Sequence, residues 1–306
     1  MLRKALGYIH KFSSALLMWM VRPILNAGAP PVARLEPDIR YGFDSDKQRL
    51  DVVVPPGSGP FPVLVYVHGG SFTAMDKKEY TRIAKVFANA GFLVLNCNYR
   101  LAPGWRYPAQ LEDVARAVGW ALANVQDFGG DPERIFMAGD SAGAYLVSTY
   151  ATVLCEEALA RAFDMEHVQR PKSLSGLVLI YGAYDCETVL GTGFPLIHMS
   201  MKNFLGCETA EYQERAKAAS PIRHIKEGYP PCFLTAGEKD HLYGQSLDFE
   251  RELERVGIPH RSMYFPASEC RVIVHGFFST WWRGCAKKAS EAAISFLVTG
   301  TINPRS

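Results

Sequence analysis

The chain has 306 residues, of which 48% are hydrophobic, and this is enough apolar material for one large α/β domain with insertions. Its 33 basic and 31 acidic residues are almost balanced and form no basic stripe, which argues against nucleic acid as a partner. The seven cysteines are scattered without C-x-x-C spacing, so no zinc site is expected and a reducing, cytoplasmic compartment is favoured.

The N-terminal residues 1–29 allow three interpretations. A charged start, the apolar run 12–21 and the A-x-A sequence at 27–29 resemble a signal peptide that would direct secretion. Arg22 and Pro23 interrupt the apolar run, however, and apolar residues near helical spacing predict an amphipathic helix instead. A helix packed on the protein is favoured over a signal peptide and over a helix on a membrane surface. The run is too short to span a bilayer.

Strands and helices are predicted to alternate along the chain. The strands 39–43 and 49–54 should form an antiparallel ribbon around a turn at 44–46. The further predicted elements are strand 62–67, helix 77–91, strand 92–96, helix 108–128, strand 134–138, a helix from residue 141, strand 176–181, strand 231–236, helix 244–257, strand 261–265 and helix 279–297. This order predicts a mostly parallel sheet with helices on both faces, in which ligands bind beyond the carboxyl ends of the strands.

Residues 139–143 read Gly-Asp-Ser-Ala-Gly between the predicted strand 134–138 and the helix behind it. In this context G-x-S-x-G is typical of a nucleophile elbow, a sharp turn that presents a serine hydroxyl. The two glycines let the strand and the helix approach the serine backbone closely. A glycine-rich turn that only packs a helix is the alternative. The pattern predicts Ser141 as the nucleophile.

Such a serine needs a base that takes its proton and a third group that orients the base. In an α/β-hydrolase sheet these follow in the order serine, acid, histidine. His275 follows the last predicted strand and precedes the final helix, so it is the candidate base. Asp240, in the loop after strand 231–236, is the candidate acid, with Glu238 as the fallback and Asp185 as the outside alternative.

Attack on a carbonyl produces an oxyanion, which N–H donors must stabilise at one point. Gly69 and Gly70 follow the predicted strand 62–67, and glycine lets the backbone approach a substrate closely. Ala142 follows the serine directly. We therefore predict an oxyanion hole made of Gly69, Gly70 and Ala142, although a plain tight turn at 68–70 is the alternative.

An ordered set of motifs from about residue 60 to 280 resembles the hormone-sensitive-lipase-like carboxylesterases of the α/β-hydrolase fold. The motifs are His-Gly-Gly-Ser-Phe at 68–72, Tyr-Arg-Leu-Ala-Pro at 99–103, Pro-Ala-Gln-Leu-Glu-Asp at 108–113, Gly-Gly-Asp-Pro at 129–132, Gly-Asp-Ser-Ala-Gly at 139–143, Asp-His-Leu at 240–242 and His-Gly-Phe at 275–277. The resemblance implies a mostly parallel central sheet, helices on both faces and a small helical cap. It implies the same triad and the same oxyanion hole as the reasoning above.

The resemblance also implies a division of the chain and an activity. The core would comprise 46–184 and 218–306, and the cap would comprise the N-terminal segment 1–45 and the insertion 185–217. The implied activity is that of a serine carboxylesterase acting on small short- to medium-chain esters through an acyl-enzyme, without a metal or organic cofactor. The alternatives are an amidase or formamidase with the same triad, a membrane-surface lipase, and a non-catalytic binding protein. A homodimer is compatible with the sequence.

The chain departs from the family pattern at several places near the predicted site. Ser71 and Ala144 stand where glycines are usual, His241 stands for a proline, and segment 267–274 before the histidine is longer than usual. No departure removes a catalytic group, so these differences bear on substrate preference. Four polar residues are interpreted as structural partners rather than catalysts: Arg100, Glu112, Asp113 and Asp140.

Overall fold

The structure is a computed structural model that describes residues 20–165, 168–207, 211–269, 274–280 and 282–299. Most of the N-terminal segment interpreted as a signal or an amphipathic helix lies outside these ranges, and residues 20–25 are helical. Positions 270–273 of the long segment before His275 also lie outside them. No helix within the described ranges is long and apolar enough to cross a membrane.

The described ranges contain one sheet of eight strands. The strands are β1 Arg34–Arg40, β2 Arg49–Val54, β3 Phe61–Val67, β4 Leu93–Cys97, β5 Gly130–Asp140, β6 Gly176–Ile180, β7 Cys232–Gly237 and β8 His260–Phe265. Their order is β1-β2-β4-β3-β5-β6-β7-β8. Strands β3 to β8 pair in parallel, while β1 and β2 pair antiparallel at one edge. The predicted mostly parallel sheet is confirmed.

Helices cover both faces of this sheet. Apart from the helical residues 20–25, the helices of the described ranges are α1 Thr81–Asn89, α2 Ala109–Asn124, α3 Ala142–Cys155, α4 Glu157–Ala162, α5 Ile197–Leu205, α6 Tyr212–Ala219, α7 Tyr243–Val256 and α8 Gly284–Thr299. Alternate residues of β3 point to opposite faces: Val63 and Val65 join the core beneath α2, α3 and α7, and Leu64 joins the core beneath α1 and α8. Because both faces are buried, the strand reads as a continuous apolar run.

The edge strand β1 begins five residues before the predicted strand 39–43. Residues 41–48 instead form a loop that closes on the buried side chain of Gln48, whose Oε1 accepts the N–H groups of Asp44 and Ser45. The loop leaves Phe43 exposed. The predicted strand 39–43 ended too late because the loop at 41–48 depends on the buried contacts of Gln48 and not on strand propensity. Strand β1 lies within the segment 1–45 that was predicted as the N-terminal part of the cap.

The segment 185–217 is more regular than the irregular stretch expected from the sequence. It contains a 3-10 turn at Thr188–Thr192, helix α5 and most of helix α6. Helix α5 is held against the body of the protein at its C-terminal end, where the Phe204 carbonyl accepts the Tyr107 N–H at 2.8 Å. The Phe204 ring stacks on Phe72, shortly after β3, which places α5 beside the carboxyl ends of the central strands.

Candidate active site

The sharp turn after β5 carries Ser141. The strand ends at Asp140 and helix α3 begins at Ala142, so a single residue makes the connection. Its backbone angles are φ 52° and ψ −117°, in a region that a residue with a side chain rarely adopts. A hydrogen bond from its N–H to the Ile180 carbonyl, 2.8 Å long, fixes the turn to β6. The turn has the geometry of a nucleophile elbow.

Both glycines of the elbow are required by the space around them. A Cβ atom on Gly139 would lie 2.5 Å from the carbonyl carbon of Gly143. A Cβ atom on Gly143 would collide with the carbonyl oxygen of Val67. The steric role predicted for these glycines is therefore confirmed, since any side chain would push the helix away from the sheet.

The structure brings Ser141, His275 and Asp240 together in one hydrogen-bonded chain. His275 Nε2 lies 2.8 Å from Ser141 Oγ, and His275 Nδ1 lies 2.8 Å from Asp240 Oδ2. The Asp240 side chain is fully buried, and its other oxygen accepts the Leu242 N–H at 2.8 Å. Because the carboxylate accepts the Nδ1 proton, Nε2 carries the lone pair that faces the serine hydroxyl.

The two other acids considered from the sequence are engaged elsewhere. Glu238, directly after β7, accepts the N–H of Ala267, in the loop after β8, at 2.6 Å. Asp185 accepts the Glu187 N–H at 2.9 Å and the Ser220 hydroxyl at 3.3 Å, and so caps its own turn. Neither side chain is a partner of His275 in the structure.

Two aromatic rings hold the imidazole of His275 edge to face. The buried ring of Tyr181, directly after β6, lies 4.8 Å from the imidazole centroid at an interplanar angle of 62°. The ring of Phe194, from segment 185–217, lies 4.7 Å away at 77°. These contacts limit the rotation of the imidazole and keep part of its surface away from water.

The N–H of Gly69 is used inside the protein. It donates to Asp140 Oδ1 at 2.9 Å, and the same carboxylate accepts the hydroxyl of Tyr80 at 3.1 Å and that of Tyr66 at 3.3 Å. Burial raises the pKa of Asp140 to about 6. In this arrangement the Gly69 N–H is not free to bind an oxyanion, contrary to the prediction. Glycine is still required there, since a Cβ atom would lie 2.6 Å from Asp140 Oδ2.

The N–H groups next along the chain are differently placed. Among the described residues, those of Gly70 and Ser71 have no backbone acceptor. Ala142 is the first residue of α3, so its N–H has no acceptor within the helix. Gly70 has φ +112°, which only glycine adopts readily. The sequence analysis considered Ser71, which follows Gly69 and Gly70, only as a departure from a glycine.

The four polar residues interpreted as structural are bound to one another or to backbone groups. Arg100 Nε lies 2.9 Å from Asp113 Oδ1, and Arg100 Nη2 lies 2.8 Å from Glu112 Oε2. Asp113 is fully buried and also accepts the Arg100 backbone N–H at 2.7 Å. Burial raises the pKa of Asp113 despite the guanidinium beside it. This network joins the loop after β4 to helix α2.

A mostly parallel sheet with a serine at the sharp turn after β5, and with its acid and histidine in loops after later strands, defines the α/β-hydrolase class. Residues 50–253, about two thirds of the chain, match the family model described as BD-FAE. The chain belongs to this family. The resemblance to carboxylesterases of the α/β-hydrolase fold is confirmed by relatives that are named as esterases.

Two curated relatives come from Mycobacterium tuberculosis. Esterase LipQ is 32% identical over 232 residues, which cover 72% of this chain and 53% of LipQ. The probable carboxylic ester hydrolase LipM is 29% identical over 227 residues, which cover 72% of this chain and 52% of LipM. The chain therefore spans about half the length of these relatives.

Solved structures of two esterases show the same fold. Esterase B from Lactobacillus rhamnosis superposes with a TM-score of 0.84 at 19% identity, over 98% of this chain and 96% of that one. A hyperthermophilic esterase from Pyrobaculum calidifontis gives a TM-score of 0.77 at 22% identity, over 97% and 94% of the two chains. At these identities the likeness shows the fold alone.

Proposed function

We propose that the protein is a carboxylic ester hydrolase with Ser141 as its nucleophile. The observation that carries this proposal is the chain of two 2.8 Å contacts from Ser141 through His275 to the buried Asp240. The relatives that are named as esterases support an ester as the substrate.

The reaction follows from the order of these contacts. Ser141 Oγ attacks the ester carbonyl while His275 Nε2 takes the hydroxyl proton. The tetrahedral intermediate collapses when the imidazolium gives that proton to the alcohol oxygen, which leaves an acyl-enzyme. His275 then takes a proton from water, the hydroxide attacks the acyl group, and the acid is released from the regenerated serine. Asp240 holds the imidazole in the required tautomer and stabilises the imidazolium without taking the proton.

We propose Gly70, Ser71 and Ala142 as the donors of the oxyanion hole. Their N–H groups lack backbone acceptors, whereas the Gly69 N–H is bound to Asp140 at 2.9 Å. Gly69 then has a supporting role, because it ties the loop to the residue before the nucleophile. The oxyanion gains from N–H donors that are held in place before the charge develops.

Apolar side chains near the site support small short- to medium-chain esters as substrates. We propose that segment 185–217 and the N-terminal segment 1–45 form a cap over a core of 46–184 and 218–306. Within segment 185–217, the side chains of Leu196 and Met199 are exposed. Other apolar residues of the segment, Ile197, Met201 and Phe204, are buried, and Phe204 packs against Phe72 outside the segment. We propose that exposed side chains of this segment, together with Phe194 beside His275, meet the acyl or alcohol group.

We propose a cytoplasmic location, which the free cysteines of the described ranges support: Cys97, Cys155, Cys186, Cys207 and Cys232. The disulfide bond of Cys285 argues against a cytoplasmic location, because disulfides persist in oxidising compartments. Fractionation of the native host tests this proposal. Esterase activity in the culture medium would favour the signal-peptide interpretation of residues 1–29, and activity in the membrane pellet would favour the membrane-surface interpretation.

The test of the activity compares the wild type with Ser141→Ala on p-nitrophenyl esters of increasing acyl length and on a matched p-nitroanilide. We expect the substitution to reduce kcat by at least about 10³-fold, because no other group can form the acyl-enzyme. A serine on helix α8 supplies the matched control: Ser290→Ala should keep full activity. Full turnover by Ser141→Ala would overturn the proposal. Faster turnover of the anilide than of the ester would favour the amidase alternative.

A further inference from the structure

The loop proposed to hold the oxyanion adopts an unfavourable backbone conformation. Ser71 and Phe72 have φ values of 52° and 63°, so two consecutive residues with side chains lie in the left-handed region. This region crowds the Cβ atom against the backbone and is favourable only for glycine. A loop with these residues would leave this conformation unless its surroundings held it.

Neighbouring aromatic residues hold the ring of Phe72 in place. It stacks on the ring of Phe204 with centroids 3.7 Å apart and an interplanar angle of 11°. The ring of Tyr145 contacts it edge to face at 5.2 Å and 84°. The Phe72 carbonyl accepts the Ala102 N–H at 2.9 Å, which fixes the backbone beside the ring.

Phe204 belongs to helix α5, in the proposed cap. Its ring is fully buried and also contacts Tyr145 at 5.5 Å. Tyr145 lies four residues after Ser141 on helix α3, whose first residue, Ala142, supplies one of the proposed N–H donors. One aromatic ring from the cap therefore contacts a residue on each side of the proposed oxyanion hole.

We propose that Phe204 is a positioning residue through which cap helix α5 holds residues 70–72 in the conformation that binds the oxyanion. The inference rests on the proposed function, since it needs the N–H groups of Gly70 and Ser71 to face the reacting carbonyl. An ester in its ground state does not need these donors fully aligned, whereas the tetrahedral intermediate does. Loss of the ring should therefore affect kcat more than KM.

The test uses Phe204→Ala and the milder Phe204→Leu, with Met201→Ala as the matched control. Met201 is equally buried on the same helix, so its truncation also opens a cavity beneath the cap. We measure kcat, KM, Tm and the inhibition constant of a trifluoromethyl ketone, which forms an oxyanion on the serine without turnover. Phe204→Leu serves if Phe204→Ala does not fold.

We expect either Phe204 variant to lower kcat about tenfold, with KM changed by less than about twofold, because backbone strain of this kind is of that size. The inhibition constant should rise by a similar factor. Met201→Ala should lower Tm comparably and leave kcat within about twofold. In a Ser71→Gly background the loss caused by Phe204→Leu should shrink to about threefold or less, because glycine adopts positive φ without strain.

The outcomes separate the inference from the proposed function. A wild type without esterase activity would overturn both. An active wild type, inactivated by Ser141→Ala, whose Phe204 variants lose no more kcat than Met201→Ala would overturn the inference alone. Equal losses in the Ser71 and Ser71→Gly backgrounds would also overturn it, because relief of strain would then not matter.

Discussion

Replacement of Gly69 by alanine tests the contact between the oxyanion loop and the residue before the nucleophile. In the structure an added Cβ atom would lie 2.6 Å from Asp140 Oδ2 and 2.9 Å from the Asp140 carbonyl oxygen. Both distances are shorter than real Cβ contacts. One of the two atoms belongs to the backbone of the elbow, so rotation of the carboxylate alone cannot relieve the crowding. The loop itself must move away from Ser141.

Two effects of this movement can be given magnitudes. Overpacking of a tight site costs about 1–3 kcal/mol of folding free energy, so the Tm should fall but the protein should still fold. Removal of one oxyanion donor costs about 10²–10³ in kcat, and a loop displaced from Ser141 takes its donor out of reach. We therefore expect Gly69→Ala to lower kcat about 100-fold, with little change in KM, because the ground-state ester does not depend on the donors.

The assay is steady-state hydrolysis of a short p-nitrophenyl ester, with Tm measured on the same preparation. Gly284→Ala is the matched control, since nothing lies within 4 Å of its added Cβ at the start of helix α8. The control should keep the activity of the wild type. A folded Gly69→Ala enzyme that keeps more than about a third of the wild-type kcat would refute the reasoning, because the loop would then tolerate the displacement.

Two further predictions concern the buried carboxyl groups. Burial raises the pKa of Asp140 from 3.8 to about 6, which corresponds to about 3 kcal/mol. The folded state therefore binds the proton more tightly than the unfolded state. This contribution to stability is present below about pH 4 and is lost as the pH rises through about 6. The free energy of unfolding of Asp140→Asn, measured in urea, should therefore vary less between about pH 4 and pH 7.5 than that of the wild type. An unchanged pH dependence would contradict this. Asp113→Ala leaves the Arg100 guanidinium, only 4% exposed, without its main partner. The free energy of unfolding in urea should fall by about 3–5 kcal/mol, whereas kcat per folded molecule should be unchanged. A loss below about 1 kcal/mol would contradict this and show that Glu112 compensates.

The sequence was sufficient for the parts of the site that depend on local patterns. Continuous apolar runs mark strands buried on both faces, and the carboxyl ends of parallel strands meet at one edge. A polar residue directly after such a strand can therefore be placed at that edge without any knowledge of side-chain contacts. Ser141 follows β5 directly and satisfies this condition, whereas Asp240 and His275 lie further along the loops after β7 and β8. The structure joins all three by hydrogen bonds.

The role of Gly69 could not be obtained in the same way. Whether its N–H faces the substrate or the protein depends on Asp140, which lies 71 residues further along the chain. A glycine after a strand has the same sequence signature in both cases. The direction of a peptide N–H is a tertiary property, and the hydroxyls of Tyr66 and Tyr80 help to hold the carboxylate that decides it.

The helices of segment 185–217 were also beyond the sequence reasoning. Helix α5 has nine residues and α6 has eight, and helices this short are not stable in isolation. Packing of side chains such as Phe204 stabilises them instead, and a hydrogen bond from the Tyr212 hydroxyl to the Cys186 carbonyl, 2.7 Å long, joins α6 to the start of the segment. Local propensity says little about helices of this kind.

The same segment contacts the site at two separate points. Phe194 packs against the imidazole of His275, and Phe204 stacks on Phe72 beside the oxyanion loop. The proposed cap would need neither contact if it only selected substrates by shape. Because one segment contacts both the base and the donor loop, substitutions within it that alter substrate preference should also alter kcat on the smallest ester. Selectivity and turnover should therefore be difficult to change independently in this protein.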